Sequence, residues 1–96
     1  VIVPTEFVLR QNYPNPFNPS TTIRYDISEP ARVTLRIYNV LGQEVRSLVD
    51  QVQSAGFKEV VWDGKNSTGK TVSSGIYIYR LQAGKYVSAR KMMFIK

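Results

Sequence analysis

Cysteine and histidine are both absent from these 96 residues. Without thiols there is no disulfide staple and no thiolate metal site. Without imidazole the chain lacks the usual general base, the commonest zinc ligand and the side chain that titrates near neutrality. A serine triad built on Ser20, Thr21 or Ser74 therefore has no base. Long apolar runs are missing too. Nothing approaches the ~18 consecutive apolar residues of a membrane span, and no basic-then-apolar leader opens the chain.

Acidic residues stop at Asp63. Residues 1–63 carry six basic and seven acidic side chains, whereas residues 64–96 carry seven basic and none acidic. The whole positive surplus thus lies in the last third, a basic face suited to an anionic partner. The cations Lys65, Lys70, Arg80, Lys85, Arg90, Lys91 and Lys96 are scattered over loops and strands, with no DNA- or RNA-binding signature. No nucleic-acid partner is expected.

Other chemistry is thinly supported. Ser67-Thr68-Gly69-Lys70 matches a Ser-x-x-Lys motif by spacing alone. Glu59 and Asp63 are candidate paired carboxylates only by proximity, and Asp63 reads better as the turn former of Asp-Gly. Asp63, Asn66 and Ser67 lack the ligand density of a calcium loop. Gly64, Gly69 and Gly75 precede no helix, so they make no phosphate cradle. We expect no enzyme, no metal and no cofactor.

What is present is strand pattern. Tyr13-Pro14-Asn15-Pro16-Phe17-Asn18-Pro19 forbids helix, because each proline fixes φ and lacks an N–H. Phe17 is the only large apolar side chain among these prolines and asparagines, and is expected to plug the loop onto a core. Strands follow at sandwich spacing: Phe7 to Gln11, Thr22 to Ile27, Arg32 to Tyr38, Glu44 to Val49, Phe57 to Trp62, Ile76 to Gln82 and Tyr86 to Ile95. The stretch from Glu44 to Gln51 has some helical potential, but its β-branched content favours strand. Leu41-Gly42-Gln43 turns the chain, Gln51 to Gly56 reads as a loop, and Asp63 to Gly75 as a long connection. Ile23, Tyr25 and Ile27 share one face. So do Val33, Leu35 and Ile37, then Val60 and Trp62, then Tyr77, Tyr79 and Leu81. The expected fold is all-β, an Ig-like antiparallel β-sandwich of about seven strands with Trp62 in its core.

The motifs in this order also carry a resemblance. Asn12-Tyr13-Pro14-Asn15-Pro16-Phe17-Asn18-Pro19, Tyr38-Asn39-Val40-Leu41-Gly42-Gln43-Glu44-Val45, Trp62-Asp63-Gly64, Gly69, Ser74-Gly75-Ile76-Tyr77 and the basic-apolar ending Lys91-Met92-Met93-Phe94-Ile95-Lys96 together resemble the type A C-terminal sorting domain of the bacterial type IX secretion system. The latter half also resembles the Ig-like domain of flagellar hook-capping proteins, which lacks the Pro-Asn-Pro-Phe opening.

The resemblance implies an Ig-like sandwich acting as a non-catalytic address on an attached N-terminal cargo, exported through the periplasm to the cell surface or medium of a Gram-negative-type bacterium. Its implied partners are the outer-membrane translocon and its shuttle, then a sorting peptidase and anionic lipopolysaccharide. Residues 1–6 are expected to be a linker where cleavage falls, and 7–96 the sorting domain. Pro14, Asn15, Pro16, Phe17 and Lys91 to Lys96 (with Met92, Met93, Phe94 and Ile95 between) are the expected recognition residues. Gly42, Trp62, Gly64, Gly75 and Tyr77 are expected to define turns and packing.

An exposed last strand would offer free backbone groups to a partner strand, with Lys91 and Lys96 adding charge and Arg90 on the opposite face. The plainer expectation for that strand is that Met93 and Ile95 close the core. A carbohydrate-binding or structural Ig-like accessory module is the alternative, the former resting on Tyr13, Tyr25, Tyr38, Tyr77, Tyr79, Tyr86, Phe57 and Trp62 as stacking surfaces.

Overall fold

Alternating apolar residues bury one face of each strand, and two such faces packed together make the fold. The computed structural model describes residues 2–96 and contains seven strands: β1 (Val8–Leu9), β2 (Thr21–Ile27), β3 (Ala31–Tyr38), β4 (Glu44–Gln53), β5 (Gly56–Trp62), β6 (Gly75–Ala83) and β7 (Tyr86–Phe94). They form an antiparallel three-stranded sheet in the order β1-β2-β5 and an antiparallel four-stranded sheet in the order β4-β3-β6-β7. This is the Ig-like β-sandwich that the sequence pattern predicts.

The expected inward sets are the buried ones. Ile23, Tyr25 and Ile27 meet Val33, Leu35, Ile37, Tyr79 and Leu81 across the interior, and Trp62 is fully enclosed. Around Trp62, Phe17 lies at 5.5 Å and 56°, Tyr77 at 5.4 Å and 67°, and Phe94 at 6.4 Å and 50°. These tilted and edge-on arrangements suit the ring quadrupoles. The Trp62 indole N–H donates to Lys65 O at 2.9 Å, so its one polar atom is satisfied inside.

Three expectations need correction. β1 is two residues long rather than Phe7 to Gln11: Arg10 N still donates to Arg24 O, but the ladder to β2 is then interrupted at Gln11 and Asn12 and resumes only as the single bridge of Tyr13 with Thr22. β4 extends through Gln53, so the expected loop over Gln51 to Gly56 shrinks to Ser54 and Ala55. In β7 the register is the reverse of the plainer expectation. Met92 and Phe94 are buried, while Met93 and Ile95 point outward at 39% and 47% exposure.

The strand directions gather the long connections at one end of the 40 Å molecule. The loop before β2, the β3–β4 turn, the β5–β6 loop and the end of β7 all meet there. The short β2–β3, β4–β5 and β6–β7 connections lie at the opposite end. Within the first segment Pro4 is buried although its neighbours are exposed; Val1, the start of the expected linker, lies outside the described residues.

Candidate functional site

A sheet edge normally leaves one row of N–H and C=O groups unpaired. β7 is such an edge in the four-stranded sheet, yet the first segment of the chain covers it. Phe7 stacks on Tyr86 with centroids 5.7 Å apart. Arg90 Nε donates to Leu9 O at 2.8 Å, and Gln11 Nε2 donates to Lys91 O at 2.8 Å. Met93 N donates to Asn15 Oδ1 at 2.9 Å. Phe17 N donates to Met93 O at 3.0 Å, and Ile95 N donates to Phe17 O at 3.1 Å. The partners ascend together, so residues 7–17 run parallel to β7 along its rim. The expectation of a last strand with free backbone groups is therefore corrected. Around Met93 those groups are taken by the loop.

The loop is held from beneath as well. Tyr79 Oη donates to Arg10 O at 2.7 Å and accepts from Asn12 N at 2.8 Å. Burial pushes the Tyr79 hydroxyl up from its ordinary value, and the bond from Asn12 together with the charge of Arg90 pulls back. Asn12 is itself buried and donates through Nδ2 to Thr21 Oγ1 and Pro14 O. Thr21 Oγ1 in turn donates to Pro14 O at 2.8 Å. These bonds fix the bend that the prolines dictate. Phe17 is 2% exposed and sits 5.0 Å from Phe94, the plug expected of it.

Pro14, Asn15 and Pro16 lie exposed beside Met93, Ile95 and Lys96, whereas Phe17, Met92 and Phe94 lie beneath them. The exposed members of the expected recognition set thus share one surface, whereas Phe17, Met92 and Phe94, also expected there, are core residues that form its floor and are not open to a partner. Lys91 faces outward beside Met93, and Arg90 takes the other face of the strand. Lys96 follows the strand, its N–H donating to Ser74 Oγ at 2.9 Å.

The expected turn residues serve distinct ends. Gly42 takes φ +81° in the β3–β4 turn, and Gly42 N donates to Asn39 O at 3.0 Å. Gly64 takes φ +73°, and a Cβ there would stand 3.0 Å from the Phe94 ring. Gly75 opens β6 opposite Phe94. Tyr77 Oη donates to Ser73 O at 2.7 Å, tying the long loop to the core.

That Asn12, Gln11 and Tyr79 hold this loop is not expected from the sequence, where Tyr79 reads as a strand-face and stacking residue and Asn12 only as part of the opening motif. Asn12 carried one available signal, a short amide directly before Tyr-Pro, where such side chains cap their own backbone.

The remaining candidates are otherwise engaged. Asp63 Oδ1 accepts from Arg46 Nη1 at 2.8 Å and from Lys65 N at 3.1 Å. Asn66 Oδ1 accepts from Thr68 N, Thr68 Oγ1 and Lys70 N, closing the turn around itself. Glu59 lies 3.8 Å from Arg24 on the exposed face of β5. Of the aromatic set, Trp62, Tyr25, Tyr77 and Tyr79 belong to the core and offer no stacking face, whereas Tyr13 and Phe57 are exposed and Tyr38 and Tyr86 half-buried.

A family model described as the FlgD Ig-like domain matches residues 18–86. No curated protein matches the chain. Among solved structures, dimeric latent PorU from Porphyromonas gingivalis is similar over 93% of this chain and 9% of its own, with 24% identity and a TM-score of 0.71. PorZ from the same organism, described as an essential surface component of its type IX secretion system, is similar over 90% of this chain and 11% of its own, with 22% identity and a TM-score of 0.64. The chain therefore spans a small fraction of either protein, and the likeness is one of fold.

Proposed function

The chain belongs to the FlgD Ig-like domain family, and from that premise we propose that it is a folded, non-catalytic C-terminal address. In this reading it directs an attached cargo protein across the outer membrane by the type IX secretion system, to the cell surface or the medium. The observation that carries the reading concerns what lies outside the family match at residues 18–86. The Pro-Asn-Pro-Phe opening precedes it, and nearly all of β7 follows it. These two segments grip each other through Asn15, Phe17, Met93 and Ile95. The common sandwich thus carries an added composite surface, made of loop and last strand together.

Such a surface suits partners that read a folded shape rather than an extended strand, since the loop already occupies the strand's rim. The outer-membrane translocon and its shuttle are the proposed readers. A sorting peptidase that cuts near residues 1–6, with anionic lipopolysaccharide as acceptor, is the proposed later step. The fold likeness to PorZ, a surface component of that system, supports the setting. A structural Ig-like spacer is the second reading, favoured by the family match to the sandwich itself.

The test is secretion of residues 1–96 behind a signal peptide and fluorescent reporter in a type IX-competent bacterium. Deletion of residues 91–96 is unsuitable, because Met92 and Phe94 belong to the core. Outward substitutions are suitable: Lys91→Glu with Met93→Ser, Ile95→Ser and Lys96→Glu. The parent fusion is expected at the surface, and the substituted one in the periplasm with its fold intact by circular dichroism. A parent fusion that stays periplasmic sinks the address reading. A substituted fusion that still reaches the surface sinks the composite surface as the thing read.

A further inference from the structure

The end of the sandwich that gathers the long loops has a chemistry of its own. Its β3–β4 turn holds Val40 at 68% and Leu41 at 80% exposure, the latter second only to Ile2 among the large apolar side chains of the described residues. Four hydrogen bonds keep them there. Asn39 Oδ1 accepts from Leu41 N and Gln43 N at 3.0 Å each, Asn39 N donates to Gln43 O, and Gly42 N donates to Asn39 O. A turn this well braced does not fold its aliphatic tip away from water.

The charges around the tip that lack an ion-pair partner are one-signed among the described residues. Glu44 is paired with Arg36 at 3.4 Å, and Asp63 with Arg46 at 2.8 Å. Lys65 and Lys70 stand on the neighbouring loop, which is joined to the turn's strand by Ser67 N donating to Val45 O at 3.1 Å. Lys91 lies in the row Tyr38, Ile78, Lys91 just below the tip, and Lys96 follows at the same end. None of the four lysines has a carboxylate partner among the described residues.

We propose that this end docks onto the surface of an anionic lipid bilayer, with Val40 and Leu41 entering the acyl boundary and the four lysines facing the headgroups. Complementarity of charge and polarity argues for it. A turn with bare aliphatics and flexible point charges on the neighbouring loop and strand matches a diffuse anionic layer over hydrocarbon. A protein interface would favour arginine and aromatic anchors and avoid lysine. Here the nearby arginines Arg36 and Arg46 are already paired with carboxylates. The inference goes beyond the secretion reading and is tested on different residues, so either can fail alone.

The experiment is sedimentation of the whole chain with vesicles of pure phosphatidylcholine or of phosphatidylcholine with about one-third phosphatidylglycerol, at low and high salt. The chain is expected to partition onto the anionic vesicles at least about tenfold better than onto the neutral ones, and less so at high salt. Lys65→Gln with Lys70→Gln is expected to lower partitioning about twenty-five-fold, at roughly fivefold per lysine. Val40→Ser with Leu41→Ser is expected to lower it about tenfold at both salt concentrations. These positions are exposed, and unchanged thermal unfolding identifies variants that remain folded. Equal binding to both vesicles, or none, overturns the proposal. Binding that survives the Val40 and Leu41 changes overturns it too, since that is adsorption by charge alone. Failure to bind vesicles combined with saturable binding to an acidic protein would assign the surface to a protein partner instead.

Discussion

Phe17 and Phe94 join the beginning of the domain to its end, forming a parallel bridge with ring centroids 5.0 Å apart. One comes from a loop that proline keeps out of any helix, the other from the last strand. Both lie against Trp62, so the three rings make the floor on which loop and strand rest. Closing the edge of β7 and filling this corner of the core are therefore a single event.

Phe17→Ala should accordingly cost about 3–5 kcal/mol, the range for emptying a buried aromatic site. Urea denaturation followed by tryptophan emission would measure it, since Trp62 touches the vacated space. A loss below about 1 kcal/mol would mean that the loop is only laid on the surface.

Asn15→Ala removes the acceptor for Met93 N, the contact at 2.9 Å. That bond is exposed, so the global loss should be about 0.5–1.5 kcal/mol. The sharper signature is local. Amide exchange at Met93 should accelerate while the amides of β3 and β6 hold their protection. Uniform acceleration throughout the sheet would contradict a local tie.

Strand alternation made most of this architecture readable in advance. Val33, Leu35 and Ile37 between Arg32, Thr34 and Arg36 could face only one way, and Trp62 had no better place than the core. β7 was harder, because Lys91-Met92-Met93-Phe94-Ile95 offers apolar side chains to both faces. Its register is settled by Phe94 packing on Phe17 and Trp62, partners far away in sequence. The covered edge was likewise hidden: Gln11, Asn15 and Asn12 are ordinary polar residues until the fold brings Lys91, Met93 and Tyr79 beside them. The Pro-Asn loop announced that it would be rigid, but not what it would grip.

Gly64→Ala is expected to destabilise by about 1–3 kcal/mol. The residue holds φ +73°, where a side chain is strained, and its Cβ would meet the Phe94 ring at 3.0 Å and Pro19 O at 3.3 Å. Gly42→Ala shares the positive φ, +81°, but has open space around it. It should cost only the conformational part, about 1 kcal/mol. Thermal unfolding of the pair separates strain from collision. Equal losses would mean that Phe94 moves aside freely.

No histidine titrates near neutrality, and the two buried tyrosines give stability a pH dependence on the alkaline side. Tyr79 and Tyr25 have hydroxyls raised from 10.0 chiefly by burial, against the opposing bonds from Asn12 to Tyr79 and from Tyr25 to Gln53. A raised value in the fold means that the neutral form is favoured there. The stabilisation is then complete below the unfolded value near 10 and is lost as pH rises through the higher folded one. Stability should thus be level from about pH 6 to 9 and fall beyond 10. Phenolate absorbance should show two tyrosines ionising late, together with loss of the fold. In Tyr79→Phe the hydroxyl that holds Arg10 O and Asn12 N is gone, so the variant should be less stable at neutral pH. Its alkaline decline should also be shallower, with one late tyrosine fewer. If the decline were as steep as in the parent, the ionisation responsible would lie elsewhere, and the hydroxyl beneath the loop would play no part in it.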